Sequence, residues 1–368
     1  MDNYNDTDKP FKNYDEQLDI LKKRGLIIGE NLEDELQAKE YLKTKSYYIL
    51  INSFKNAVTH IDDNSNEVFN KNITINELMV FFRFESDLKS VLLKYMLLFE
   101  IYFKQTLSYE ISKNYGVKTE KYLDYSIYKT SRHHPFSEVN YLRSCAGIAV
   151  DENYKIKNPC YMNNMIKRNP TDYYREMHDT IPPWILVQNL TLGQVQCWYK
   201  ILPNNSKRVI VSHILNKQIE NIAEVDFKAF ADGIEIIRAF RNKLAHASKI
   251  FQFHAKRKQH YKDSNKNNQY RYIDIDFPYR FICNEIGANY ISEEKFRRGV
   301  CKNDLFNLIT ILKIFLSNSD SIIFKFDLIN VITSYLAIPE YERYIKDYFK
   351  FNELPLNLTT KLAQINDE

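Results

Sequence analysis

The sequence predicts a mainly α-helical protein, and three observations predict it. Glycine is scarce, at 8 in 368 residues, and proline nearly as scarce, at 10. Repeated hairpins need glycine-rich turns and a dinucleotide or P-loop site needs clustered glycines, so an all-β fold and a glycine-rich phosphate cradle are both disfavoured. Apolar residues recur at helical spacing over long stretches, and a hydrophobic content of 44% beside 27% charged residues is enough for a sizeable core.

Residues 14–25 read as a short helix, with Leu18, Leu21 and Lys22 at helical spacing and Gly25 as its stop. Residues 33–59 read as a longer helical stretch carrying Tyr41, Tyr47, Tyr48 and Phe54, and 61–72 as an exposed polar loop. Residues 76–113 give the longest helical pattern, with Leu88, Leu92, Tyr95, Phe99, Phe103 and Leu107 on one broad face. Residues 114–183 hold Gly116, Pro135, Gly147, Pro159, Pro170 and Pro182-Pro183, and read as irregular with short helices. Helices follow at 184–202 and 207–222. An amphipathic one at 226–248 steps through Phe227, Phe230, Ile234, Ile237, Phe240 and Leu244. A basic loop comes next, then a hairpin near 270–283 and helices at 303–316 and 321–350. The expected organisation is an N-terminal helical region at 1–75, a helical domain at 76–250 interrupted by an insertion at 114–183, and a basic loop with a C-terminal helical region at 251–368.

Several classes are excluded. No run of 18 apolar residues exists, so no transmembrane helix is expected. The polar, acidic start MDNYNDTDKPFKNYDEQ is unlike a secretory signal. The five cysteines (145, 160, 197, 283, 301) lack CxxC spacing, which points to neither a disulfide framework nor a thiolate zinc site. A cytoplasmic protein without cofactor or metal is the expectation.

Charge distribution supplies the first positive sign. From Arg238 to Tyr272 there are ten Lys/Arg and one acid, Asp263, an excess of +9 in a chain whose total is +4. A local excess of this size is the footprint of a polyanion partner. Aromatic residues at 14% add rings that can stack on unpaired bases.

The segment that carries chemistry is Arg241-Asn242-Lys243-Leu244-Ala245-His246, at the end of the 226–248 helix. It suits RNA cleavage in which the 2′-OH attacks the neighbouring phosphorus. Histidine titrates near neutrality and moves the protons. Arginine donates paired hydrogen bonds to the phosphoryl oxygens as charge builds there. Asn242 and His246 are four residues apart and share a helix face, whereas Arg241 lies about 140° away round the helix. Spacing alone is weak, since Arg208-Val-Ile-Val-Ser-His213 repeats it; only the first match has Asn after the Arg and a basic segment beyond.

The signature RN-x3-H closing a helix resembles that of HEPN-domain ribonucleases. Three blocks, in order over residues 9–250, resemble the abortive-infection (Abi) branch of that superfamily, of the AbiD/AbiF type. They are Lys9-Pro10-Phe11 with Asp15-Glu16-Gln17-Leu18, Leu21–Leu26 and Tyr47-Tyr48; then Pro182–Val187 with Leu192-Gly193; and last Ile236–His246. The resemblance implies a HEPN-like helical bundle and a bacterial defence protein that cleaves RNA. It implies a toxin held by a small structured noncoding RNA, with Arg241, Asn242 and His246 as catalytic residues. Two departures touch the phosphate site: Ala247-Ser248-Lys249 follows the histidine, and the long helix has Glu100 with Lys104 where an arginine is common.

The RNA-binding residues expected are Arg24, Lys43, Lys45, Tyr47, Arg238, Lys249, Lys256, Arg257, Lys258 and Lys262, and the partners are RNA and a second copy of the chain, with no membrane. His133-His134 read as loop residues, His254 and His260 as part of an RNA-facing loop, Trp184 and Trp198 as core, and Gly193 as a turn residue. A non-catalytic RNA-binding or sensor protein on the same scaffold is the alternative.

Overall fold

The computed structural model describes residues 10–129, 137–146, 170–178, 180–246, 248–262 and 268–363. The fold is mainly α, as the low glycine count and the helical periodicity predict, and its sheets among the described residues are two small hairpins.

Helix α1 (Tyr14–Lys23) opens on a capping box between Asn13 and Glu16 and ends before Gly25 at φ +85°. Three helices, α2 (Leu32–Lys45), α3 (Tyr47–Leu50) and α4 (Lys55–Val58), replace the single stretch predicted over 33–59. The break is Ser46, at φ +61°, whose hydroxyl accepts the Ile49 N–H and caps α3; no glycine or proline marks it. The predicted loop at 61–72 is instead largely a hairpin of β1 (Thr59–Ile61) and β2 (Glu67–Phe69). Asp62 makes its turn, accepting the Asn66 N–H at 2.7 Å and the Asn64 N–H at 2.9 Å. These bonds, that from Asn66 foremost, hold its carboxyl below the ordinary value.

Helix α5 (Ile75–Tyr115) matches the predicted 76–113 helix. Short helices α6 (Thr119–Tyr122), α7 (Ser137–Cys145) and α8 (Pro170–Met177) follow in the region read as irregular. Then come α9 (Pro183–Leu186), α10 (Leu192–Ile201), α11 (Asn204–Ile214) and α12 (Glu224–Ala245), the last on the predicted 226–248 helix. The basic segment read as a loop is a hairpin, in which β3 (Lys256–Lys262) pairs with β4 (Asn268–Asp274) and Lys258 lies opposite Tyr272. The hairpin expected near 270–283 is therefore displaced upstream, and Tyr279–Glu285 is helix α13. The chain continues through α14 (Glu293–Arg297), α15 (Leu305–Phe315), α16 (Asn318–Leu336), α17 (Pro339–Phe351) and α18 (Leu358–Ala363). Pro339 opens α17 and splits the helix predicted over 321–350.

Two compact units result. The first comprises Met1–Leu92, Lys243–Phe253 and Lys325–Glu368, the second Leu93–Asn242 and His254–Phe324. The division falls inside α5, α12 and α16.

In the first unit Phe54, Phe81, Phe84, Phe251 and Tyr348 form an aromatic core of edge-on pairs, with ring centroids 5.0–5.7 Å apart. Buried Glu85 lies within it. Its carboxylate accepts the Ile250 N–H and the Tyr348 O–H, both at 3.1 Å, and pairs with Lys89 at 2.6 Å. The segment after α12 is thereby tied to α5 and α17 of the same unit.

In the second unit Phe99, Phe103, Tyr199, Phe230 and Phe315 form the corresponding cluster, with centroids 5.2–5.9 Å apart. Gly233 of α12 is required there, because a Cβ would sit 2.5 Å from the Phe315 ring. Buried Trp198 donates to the Tyr128 hydroxyl at 3.1 Å, Tyr128 donates to the Tyr122 carbonyl, and Tyr122 donates to the Ile181 carbonyl at 2.6 Å. This relay pins the irregular region against α10. Trp184, read as core, is 41% exposed. No helix among the described residues is long and apolar enough to cross a membrane.

Candidate functional site

Helix α12 is what positions the RN-x3-H residues. Its apolar face, Phe230, Ile234, Ile237 and Phe240, is fully buried, which turns Arg238, Arg241 and Asn242 toward the polar side. Arg241 and Asn242 stand in the last helical turn, and His246 follows the last helical residue, Ala245. Asn242 and His246 are exposed, and Arg241 is half-buried.

Arg241 has a specific neighbour in the second unit. Its Nε lies 3.8 Å from Oε2 of Glu100 on α5, a carboxylate only 7% exposed. Lys104, one turn along α5, reaches the other oxygen of Glu100 at 2.9 Å. Glu100 therefore lies between two cations, and the pair expected with Lys104 alone extends to Arg241. Among the described residues of this unit, no hydrogen bond takes the two terminal nitrogens of Arg241. They remain able to hold an anion in a bidentate way.

The second match to the same spacing is organised differently. Arg208 donates to the Ile222 carbonyl at 2.5 Å and the Ile219 carbonyl at 3.5 Å, and stacks 5.4 Å over the Phe227 ring. His213 packs against the Tyr102 ring at 5.6 Å. Arg208 ties α11 to the chain ahead of α12, and His213 ties it to α5.

Arg238, one turn before Asn242, donates to Glu235 at 2.7 Å, and Lys200 reaches the same carboxylate at 2.9 Å. Burial pushes Glu235 up, but the Arg238 and Lys200 partners outweigh it and its carboxyl stays below the ordinary value. Lys256 is 3.9 Å from Asp274 across the hairpin, and Lys258 lies 3.5 Å over the Tyr270 ring. Arg257 turns inward to buried Asp232 at 3.1 Å. Lys262 ends β3, and its side chain lies outside the described residues.

The remaining expected RNA-binding residues belong to the first unit, where most have structural partners. Arg24 donates to the Glu67 carboxylate and to the Tyr47 hydroxyl, both at 2.7 Å, and lies over Phe69 at 5.2 Å. Lys43 is 4.0 Å from Glu40, and Lys45 lies 5.5 Å over Phe82. Lys249 donates to the Ser53 carbonyl at 3.1 Å and the Asn52 carbonyl at 3.3 Å, and burial pushes its ammonium below the ordinary value.

His133 and His134 lie outside the described residues. His254 is bonded to Asn303 at 3.1 Å, and His260 sits on β3. Among the described residues no group of three His, Cys, Asp or Glu is placed to hold a metal ion, and Cys145, Cys197, Cys283 and Cys301 form no disulfide there.

Two cavities in the second unit had no sign in the sequence. One, of about 710 Å³, lies beside Gln105, Tyr109, Trp184 and Gln188. The other, of about 420 Å³, lies beside Tyr141, Gln194, Cys197 and Arg238. Their lining residues come from separate helices and share no motif.

The family model described as Abi-like protein matches residues 40–252, more than half of the 368-residue chain. No curated protein matches the chain, and no solved structure matches it.

Proposed function

The chain belongs to the Abi-like protein family, and from that premise we propose that it is an abortive-infection protein of phage defence that acts as a metal-independent endoribonuclease toxin. The observation that carries this reading is the contrast between the two arginines of equal spacing. One terminal nitrogen of Arg208 donates to two carbonyls, and its guanidinium lies over the Phe227 ring. That of Arg241 lies beside buried Glu100, and among the described residues no hydrogen bond takes its terminal nitrogens.

In this reading Arg241 and Asn242 hold the scissile phosphate, and His246 moves the proton of the attacking 2′-OH or of the leaving 5′-oxygen. Each chain offers one such histidine, yet the reaction needs a base and an acid. Two copies of the chain in a two-fold dimer supply both. A small structured noncoding RNA on the basic surface holds the toxin inactive. Expression of the wild-type chain without that RNA should arrest growth, and His246→Ala should relieve the arrest while the circular dichroism spectrum is unchanged. Arrest that persists in His246→Ala would end the catalytic assignment.

A second reading, a non-catalytic RNA-binding or sensor protein, is favoured by the hairpin itself. Lys256 and Lys258 stand beside Tyr270 and Tyr272, which are 46% and 68% exposed, a basic and aromatic surface that binds RNA without cleaving it. RNA that co-purifies with the chain but is never cut, by the wild type or by His246→Ala, would select this reading.

A further inference from the structure

The cavity of about 420 Å³ in the second unit lies between α7, α10 and α12. It is lined by Glu138, Tyr141, Thr191, Gln194, Cys197 and Arg238. Its size falls in the range of small-molecule sites, ample for one nucleotide. Arg238, on its wall, stands three residues before Arg241 on the same helix.

Its walls are held in place. The Gln194 side chain accepts the Thr191 N–H at 2.6 Å through Oε1 and donates to the Tyr141 hydroxyl through Nε2. Tyr141, 39% exposed, thus presents its ring from a fixed position. The Arg238 guanidinium is fixed at one corner by Glu235 at 2.7 Å, while its Nε is buried with no hydrogen-bond partner. Gly193, read as a turn residue, in fact lies inside α10, where a Cβ would come 3.4 Å from Cδ of Arg238.

We propose that this cavity binds the guanine base of an unpaired nucleotide. The inference rests on the RNA reading above and names the base that the site selects. A fixed guanidinium calls for two adjacent acceptors, which guanine supplies as O6 and N7. The Tyr141 ring supplies the stacking face. Adenine sets a donor at N6 against the arginine, and cytosine, with the same kinds of groups, leaves much of a two-ring cavity unfilled.

Cys197 lines the cavity as an exposed thiol and reports occupancy directly. The experiment uses the full-length His246→Ala protein, so RNA is not consumed. Cys197 alkylation by N-ethylmaleimide is followed by peptide mass spectrometry with 5′-GMP, 5′-AMP or 5′-CMP, and with the oligoribonucleotides UUGUU, UUAUU and UUCUU. A guanine ligand at about four times its dissociation constant should slow alkylation roughly fivefold, with little effect of the adenine and cytosine ligands. Tyr141→Ala should weaken guanine binding roughly tenfold or more, and Tyr141→Phe should retain most of it. Gly193→Leu, a substitution that a helix accepts, should fill the cavity and abolish protection with the fold intact by circular dichroism. Selective protection by UUGUU at lower concentration than GMP identifies an RNA strand as the source of the base; the reverse order identifies a free nucleotide. Equal protection by all bases, or none by any, would overturn the proposal. A wild-type chain that cuts no RNA while guanine still protects Cys197 would remove the ribonuclease reading and leave this site standing.

Discussion

Single residues decide most at this site, and Glu100 is the first. A carboxylate 7% exposed with a cation at 2.9 Å and another at 3.8 Å offsets its own burial by that pairing and holds a negative charge beside the Arg241 guanidinium. Glu100→Gln should slow RNA cleavage by roughly 10–100-fold in single-turnover measurements while RNA affinity changes little, because the arginine remains but the negative charge beside it is lost. Glu77 in the first unit is the opposite case. It is fully buried, Arg343 lies 3.6 Å from it, and among the described residues neither of its oxygens has a hydrogen-bond partner. Burial pushes its carboxyl up to about 7. Arg343 opposes that rise, and Asp347 adds to it. Folding therefore penalises the ionised form. The destabilisation is absent while the group is protonated in both states. It grows as pH rises above the ordinary carboxyl range and is complete above about 7. Glu77→Gln should raise Tm at pH 8, by a stabilisation of about 1–3 kcal/mol, and leave it nearly unchanged at pH 4. A pH-independent effect would mean that its charge is not what costs stability.

Elements carry two further tests. Helix α12 keeps Gly233 against the Phe315 ring with no room for a methyl group. Gly233→Ala gains about 1 kcal/mol of helix propensity but overpacks the contact at a cost of roughly 1–3 kcal/mol, so urea denaturation should show a net loss. The basic hairpin divides its own side chains. Lys256 and Lys258 face Asp274 and the tyrosines at the surface, whereas Arg257 neutralises buried Asp232. Replacing Lys256 and Lys258 together by alanine should reduce the slope of log affinity against log salt by up to roughly 2, if each meets a phosphate. Arg257→Ala should instead lower stability, since it removes one of the two cations, with Lys228 at 2.5 Å the other, that neutralise Asp232. An unchanged salt slope in the lysine pair would mark the hairpin as a solvated surface.

At the scale of the whole molecule, each compact unit is assembled from segments far apart in sequence. The residues of the RN-x3-H segment are shared out accordingly: Arg241 and Asn242 are counted in the second unit, Lys243 onward in the first. The proposed reaction needs a base and an acid, so activity should follow the dimer. Cleavage per chain should rise with protein concentration and follow a bell-shaped pH profile around neutrality. Products should end in 2′,3′-cyclic phosphate and form in EDTA. Cleavage proportional to monomer where no dimer forms, or loss of cleavage on chelation, would exclude this mechanism.

The sequence by itself determined the helical class, the long helices α5 and α12 and the segment Arg241–His246. Local periodicity and a short motif need only neighbours along the chain to be legible. It missed the break at Ser46, which no glycine or proline announces, read the first hairpin as a loop, and set the second one too far along the chain. Tertiary structure alone decided which of two arginines with the same spacing is bonded to carbonyls and which lies beside a buried carboxylate. It also decided that Arg24, Tyr47 and Lys249 are engaged by their own unit, and that Arg238 faces a cavity with Tyr141 and Gln194. A side chain's availability depends on carboxylates and carbonyls brought to it from distant segments, and one-dimensional spacing carries no record of those encounters.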